Sequence, residues 1–231
     1  MAEPRWLEFS RQVEDSRLGS SRAERICHIA SSLLGAVEVS ISLSIDNAYL
    51  SLATSGPLAL LLDETQFQLG DGPVFESQNS TVPVVVEDIS SSDARLAFPA
   101  FGPIAHEKKI GSIAVFPVRV GNAKLGTLNV YRERVGPLGA EQYANGLIAA
   151  SFALPEAIDQ QAGVIASVST GEIPHRFASS HLQVAAGMVA ESLGCSIVES
   201  LVLIRARAFA DSVPVVEIAK QIQERKLMLG H

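Results

Sequence analysis

The chain has 231 residues, 47% hydrophobic and 19% charged, which excludes a disordered chain and suits one or two domains with a real core. A formal charge of −7 excludes a general polyanion binder. The charge is uneven: residues 1–174 carry 12 Lys+Arg against 20 Asp+Glu, and residues 175–231 carry 6 against 5, a balance of −8 followed by +1. Cys27 and Cys195 stand far apart and outside any C-x-x-C pair, so no disulfide framework or zinc knuckle is expected. The start lacks a basic region followed by an apolar run, and the longest apolar runs, such as Leu58–Leu62, are too short to span a bilayer. The expectation is a cytoplasmic protein with no membrane association.

From Trp6 to about Leu34 the chain reads as helical. Ser21 and Glu24 form a capping box, Ile26, Ile29, Ala30, Leu33 and Leu34 recur at helical spacing, and Gly35 is a C-cap. The period then changes to two. Val37, Val39, Ile41, Leu43 and Ile45 alternate with Glu38, Ser40, Ser42 and Ser44, which predicts a half-buried strand with one polar face. Asp46-Asn47 supplies a turn into a second strand over Ala48–Ala53. Thr54–Gln68 reads as a short helix or lid. Gly70-Asp-Gly72-Pro73 reads as a turn needing positive φ, ahead of a short helix near Val74–Gln78. Val82–Val86 is strand-like, and Pro83 places it at a strand end or a sheet edge. Phe98–Lys109 fits one helix. Ile113–Val120 and Leu125–Tyr131 form a hairpin about Gly121-Asn122, and Gly139–Leu154 is helical, with a further helical stretch after Pro155. Hairpins interleaved with helices predict an α+β domain, an antiparallel sheet flanked by helices. Ser167–Pro174 is the best linker candidate.

The tail reads as an all-α three-helix module. Phe177, Leu182, Ala185, Val189 and Leu193 mark one helix, stopped by Gly194. Ser196 and Glu199 form a capping box for a second, with Leu201, Ile204 and Ala208 on its apolar face. Pro214 opens a third, with Val215, Ile218 and Ile222 facing inward. Helices this short are marginal alone and must pack together. No G-x-G-x-x-G, P-loop, H-E-x-x-H or ordered Ser/His/Asp set occurs, so no enzyme, metal or cofactor is expected.

Residues 20–160 resemble a GAF domain. The resemblance rests on the element order, on Leu69-Gly-Asp-Gly-Pro73 before a short helix, and on the closing hairpin from Gly111-Ser-Ile-Ala-Val-Phe-Pro117 to Leu125-Gly-Thr-Leu-Asn-Val130. It implies a small-ligand pocket between sheet and helices, or a dimerisation platform. Cys27, the domain's one cysteine, lies on the first helical stretch, away from where bilin-binding relatives carry theirs. Residues of about Pro174–Leu229 resemble an ANTAR domain, on Ala185-Ala-Gly187-Met188, on Glu199 with Leu203-Ile-Arg205 and Ala208, and on Ile218-Ala219. That resemblance implies a homodimer that binds paired RNA hairpins and competes with a terminator. It implies RNA contacts from Arg176, Gln183, Ala186, Gly187, Arg205, Arg207 and Lys220. Ala186 stands where many members carry lysine, and Arg205 and Arg207, two apart, point in different directions on a helix.

The resulting scheme is an N-terminal helical segment (1–19), a GAF-like sensor (20–165), a linker (166–174) and an ANTAR-like module (175–231). The function it implies is a signal-responsive antitermination regulator that binds RNA and a small molecule. The alternative is a dimerisation module whose tail docks a protein without RNA.

Overall fold

A computed structural model of the protein describes residues 4–45, 48–77, 80–170, 180–211, 213 and 215–229. The chain divides into two compact units, Met1–Phe67 with Asp71–Ile165, and Gln68–Gly70 with Ala166–His231.

In the first unit, α1 (Arg5–Asp15) precedes α2 (Arg22–Leu34), whose capping box forms as the sequence predicts: the Ser21 hydroxyl accepts from Glu24 N–H, and the Glu24 carboxylate accepts from Ser21 N–H. Gly35 ends α2 at φ 59°, in the left-handed region that favours glycine. The expected hairpin is β1 (Glu38–Ile45) and β2 (Ala48–Thr54); its turn residues 46–47 lie outside the described residues. Then come α3 (Pro57–Leu69), α4 (Pro73–Glu76), β3 (Val84–Val86), α5 (Ser92–Ala97) and α6 (Phe101–Glu107). The second hairpin, β4 (Ser112–Val120) and β5 (Ala123–Arg132), leads into α7 (Ala140–Thr170). The sheet is antiparallel, in the order β2-β1-β5-β4-β3, so the segment after Pro83 forms an edge as expected.

Two helix boundaries differ from the sequence reading. The helix expected over Phe98–Lys109 begins only at Phe101, as α6, and a shorter piece that the sequence reading did not include, α5, lies ahead of it. The two are separated because Phe98 precedes Pro99, which pushes it out of the helical region to φ −128°, ψ 64°. Ser91 caps the earlier piece, α5. The helix that should end at Leu154 continues through Pro155 to Thr170. The missing N–H costs one helical bond, and the fully buried Ala153 and Ala157 on either side hold the helix in place. The first five residues of the expected linker, 166–170, are therefore helical, and residues 171–174 lie outside the described residues.

Helices α1, α2 and α7 cover one face of the sheet. The tilted rings of Phe9 and Phe152 lie 5.0 Å apart between centroids, Phe116 on β4 meets Tyr143 at 5.8 Å, and Arg22 on α2 reaches Glu156 on α7 at 2.8 Å. A side chain at Gly146 would lie 2.1 Å from the Phe116 ring, so glycine lets α7 approach β4 this closely.

In the second unit, α8 (Ser180–Leu193), α9 (Ile197–Asp211) and α10 (Val215–Gln223) pack together. Leu182, Ala185, Ala186, Val189, Leu201, Ile204, Ala208, Ile218, Ala219 and Ile222 are buried. Ser196 and Glu199 form the predicted capping box, and Gly194 takes φ 64° after α8. Phe177 lies outside the described residues.

Candidate functional site

The face of the sheet away from α7 carries the unexpected feature. Alternation predicts a polar face on β1, and a polar strand face ordinarily meets water. Here Ser40 and Ser42 are buried, as are their cross-strand partners Asn129 and Thr127 on β5. Helix α3 lies over them and supplies Asp63 and Gln66.

Asp63 is the centre of this layer. Its Oδ2 accepts from Ser42 Oγ at 2.7 Å, and its Oδ1 accepts from Asn129 Nδ2 at 3.1 Å and from the Tyr131 hydroxyl. The Asn129 amide also donates to Ser40 and Ser42 at 3.2 Å. Gln66 Nε2 donates to the Tyr131 hydroxyl at 2.9 Å, while its Oε1 accepts from Val74 N–H at 3.0 Å, tying α3 to α4. Among the described residues no cation pairs with Asp63. Burial pushes its carboxyl above the usual carboxylate range, against the opposing pull of its hydrogen bonds to Tyr131 and the serines. Burial and Asp63 together push the Tyr131 phenol well up. On this face of β5 two fully buried polar atoms, Thr127 Oγ1 and Asn129 Oδ1, have no partner among the described residues. Such atoms are rare in native interiors and call for an explanation.

The Gly70-Asp-Gly72-Pro73 segment frames the same layer. Both glycines take positive φ, 66° and 132°. A side chain at Gly72 would lie 2.4 Å from Gln66 Oε1. Asp71 Oδ2 accepts from Ala100 and Phe101 N–H at 2.8 and 2.9 Å, which caps α6. Glu38 on β1 accepts from Ala59 N–H at 2.6 Å in the first turn of α3. These are local reasons why α3, α4 and α6 sit where they do, and the turn reading of the glycines holds.

Cys27 is fully buried on α2, its Sγ 3.6 Å from the Ala53 carbonyl, and burial pushes its thiol up. It is a packed residue on the far side of the sheet.

The residues expected to contact RNA divide. Ala186 is fully buried beside Ala185 and so serves packing; the small side chain lets neighbouring helices close on α8. Gly187 is partly exposed, and space around it is open. Arg205 on α9 is partly buried. Arg207 is exposed but bound to Asp211 one turn on, Nε to Oδ2 at 2.6 Å. Lys220 is exposed and makes no ion pair among the described residues. Arg176 and the side chain of Gln183 lie outside the described residues. Sequence reading missed Phe209, which is 88% exposed on α9, and Val202, 58% exposed on the same side. Their spacing of seven residues, two helical turns, was the available signal.

No family model matches the chain, and no curated protein matches it in sequence. Solved structures do. The GAF domain of an Acinetobacter phosphoenolpyruvate-protein phosphotransferase matches at 17% identity over 70% of this chain and 97% of its own, with a TM-score of 0.53. The GAF domain of a phosphoenolpyruvate-protein phosphotransferase from Coxiella burnetii matches at 16% identity over 72% and 94%, TM-score 0.47. A domain of a two-component sensor histidine kinase from Sinorhizobium meliloti matches at 17% over 65% and 98%, TM-score 0.49. The first unit therefore has the GAF fold: a five-stranded antiparallel sheet with helices, here followed by α8–α10. No helix among the described residues is long and apolar enough to cross a membrane.

Proposed function

We propose that the protein is a non-catalytic, signal-responsive regulator in which the GAF-fold unit senses a small molecule and the helical unit of a homodimer binds paired hairpin loops in leader RNA, promoting transcription antitermination. The observation that carries the reading is the order of a GAF fold followed by three packed helices, with Ala185, Ala186, Ile204, Ala208, Ile218 and Ala219 of the ANTAR-like pattern in the core. Phe209 adds a surface suited to RNA, because splayed loop bases stack on exposed aromatic rings. Among the described residues of the helical unit, Lys220 and Arg225 are the exposed cations without an ion pair. Two linked modules reading two loops would gain avidity from effective concentration.

Gel-shift titration of the full chain with tandem-hairpin RNA tests the reading. Phe209→Ala weakens binding by about tenfold to a hundredfold, the worth of one stacked base. Lys220→Ala lowers the slope of log affinity against log salt by about 0.7–0.9. Equal affinity of both variants and the parent rejects these contacts. Salt-insensitive or absent RNA binding by a dimer rejects the function.

The protein-docking reading is favoured by one observation. Val202, Ala206 and Phe209 make the outward face of α9 apolar, and Arg207 beside it is neutralised by Asp211. A specific protein partner retained after RNase treatment, with no hairpin binding, is the outcome that selects it.

A further inference from the structure

Strand β5 enters the sheet with one residue too many. Val118 pairs with Gly126 and Arg119 with Lys124, which leaves Leu125 unpaired between them. Without that extra residue, alternation would send Lys124 to the α7 side with Gly126, Leu128 and Val130. The bulge turns it to the opposite face, a common use of bulges. The hydrogen bonds agree: Lys124 Nζ donates at 3.2 Å to Ser77 Oγ, a fully buried hydroxyl at the end of α4. A half-buried ammonium is thereby placed on the face that holds Thr127 and Asn129.

Its surroundings are wrong for a structural lysine. Arg119 stands directly across the hairpin, and like charges in that position are destabilising. Arg119 Nε donates to the Gly121 carbonyl, and no carboxylate pairs with Lys124 among the described residues. Burial, with Arg119 adding to it, pulls Lys124 down to about 8. Two deficits thus share one face. A desolvated cation lacks an anion, and the Asn129 carbonyl lacks a donor beside the unpartnered Thr127 hydroxyl. Two residues, Leu125 and Gly126, separate Lys124 from Thr127, at most about 10 Å of strand, so one extended molecule can meet both.

We infer that the polar face of the GAF-fold unit binds a small hydroxylated organic anion, with its carboxylate or phosphate on Lys124 and Arg119 and its hydroxyl groups on Thr127 and Asn129. This rests on reading the unit as a sensor and names the class of molecule sensed.

Full-length protein carrying 13C-labelled lysine provides the test. The Lys124 ε-carbon resonance, assigned by its loss in Lys124→Arg, is followed during titration with gluconate, sorbitol 6-phosphate, inorganic phosphate and sorbitol. Gluconate or sorbitol 6-phosphate moves it saturably, with Kd below about 1 mM, and the preferred one separates carboxylate from phosphate recognition. Inorganic phosphate binds at least tenfold more weakly, and sorbitol does not shift the resonance. Calorimetry loses the anion's heat in Lys124→Met and shows several-fold weaker binding in Thr127→Val, each checked for native circular dichroism. A resonance unmoved by either organic anion overturns the proposal. So does undiminished binding by Lys124→Met, or phosphate binding as tightly as its polyol ester. Hairpin binding in the gel shift is scored separately, so loss of the RNA reading and loss of this site are distinguishable.

Discussion

Asp63→Ala lowers the unfolding free energy of the GAF-fold unit by about 3–5 kcal/mol, because it strands the donors of Ser42, Asn129 and Tyr131 in a dry layer, each worth roughly 1–3 kcal/mol and not fully additive. Asp63→Asn costs far less. A carboxamide keeps an acceptor for Asn129 and Tyr131 and turns a donor toward Ser42, whose hydroxyl can accept, so it imitates the protonated acid. The pH dependence separates the two forms. Asp63 has a folded pKa above its unfolded value of about 3.9. The native state therefore holds the proton more tightly, and this contribution is complete below the unfolded value and lost as pH rises through the folded one. Urea titration across that range shows the parent losing stability relative to Asp63→Asn as pH rises, then running parallel to it. A parent that instead gains on the asparagine variant as pH rises would mean that the carboxylate is the preferred form in the fold.

Gly72→Ala costs about 3 kcal/mol, although it adds a single methyl group. At φ 132° and ψ 169° the backbone occupies a region open essentially to glycine alone, worth about 1–3 kcal/mol of strain for any other residue. The added carbon also falls 2.4 Å from Gln66 Oε1. Gln66 must then release Val74 N–H or the Tyr131 hydroxyl, and either leaves a buried polar group unmatched. The urea midpoint measures the total. Adding Gln66→Ala to Gly72→Ala tests the coupling: the double variant is more stable than the sum of the two single losses predicts, since the clash is gone. Strict additivity would place the whole cost in the backbone.

Much of the sheet was legible because its signals are local. Alternation from Val37 to Ile45, the Gly121-Asn122 turn, Pro83 and the capping boxes at Ser21 and Ser196 each fix one element without knowledge of the others. The buried polar layer was not legible, for a definite reason. A period of two says which residues share a face and is silent on whether that face meets water or a helix. Ser40 and Ser42 read the same in either case, and only α3 decides it by bringing Asp63 over them. Lys124 was hidden more deeply, since its side depends on counting β4 against β5, and a bulge belongs to a pair of strands. In the helical unit, spacing identified the core positions of α9 and α10. It could not tell that Ala186 turns inward or that Asp211 occupies Arg207, because both depend on how the turns are wound and filled.

The shortness of β3 has a consequence for the protein at high concentration. Only three residues pair at that margin, and the Pro83 just before them has no N–H to offer a neighbour. An incoming chain seeking to lengthen the ladder there finds too few groups to zip against, so this rim resists growth into aggregates. Replacing Pro83 with valine would restore a donor and lengthen the template, turning a blunt margin into a sticky one.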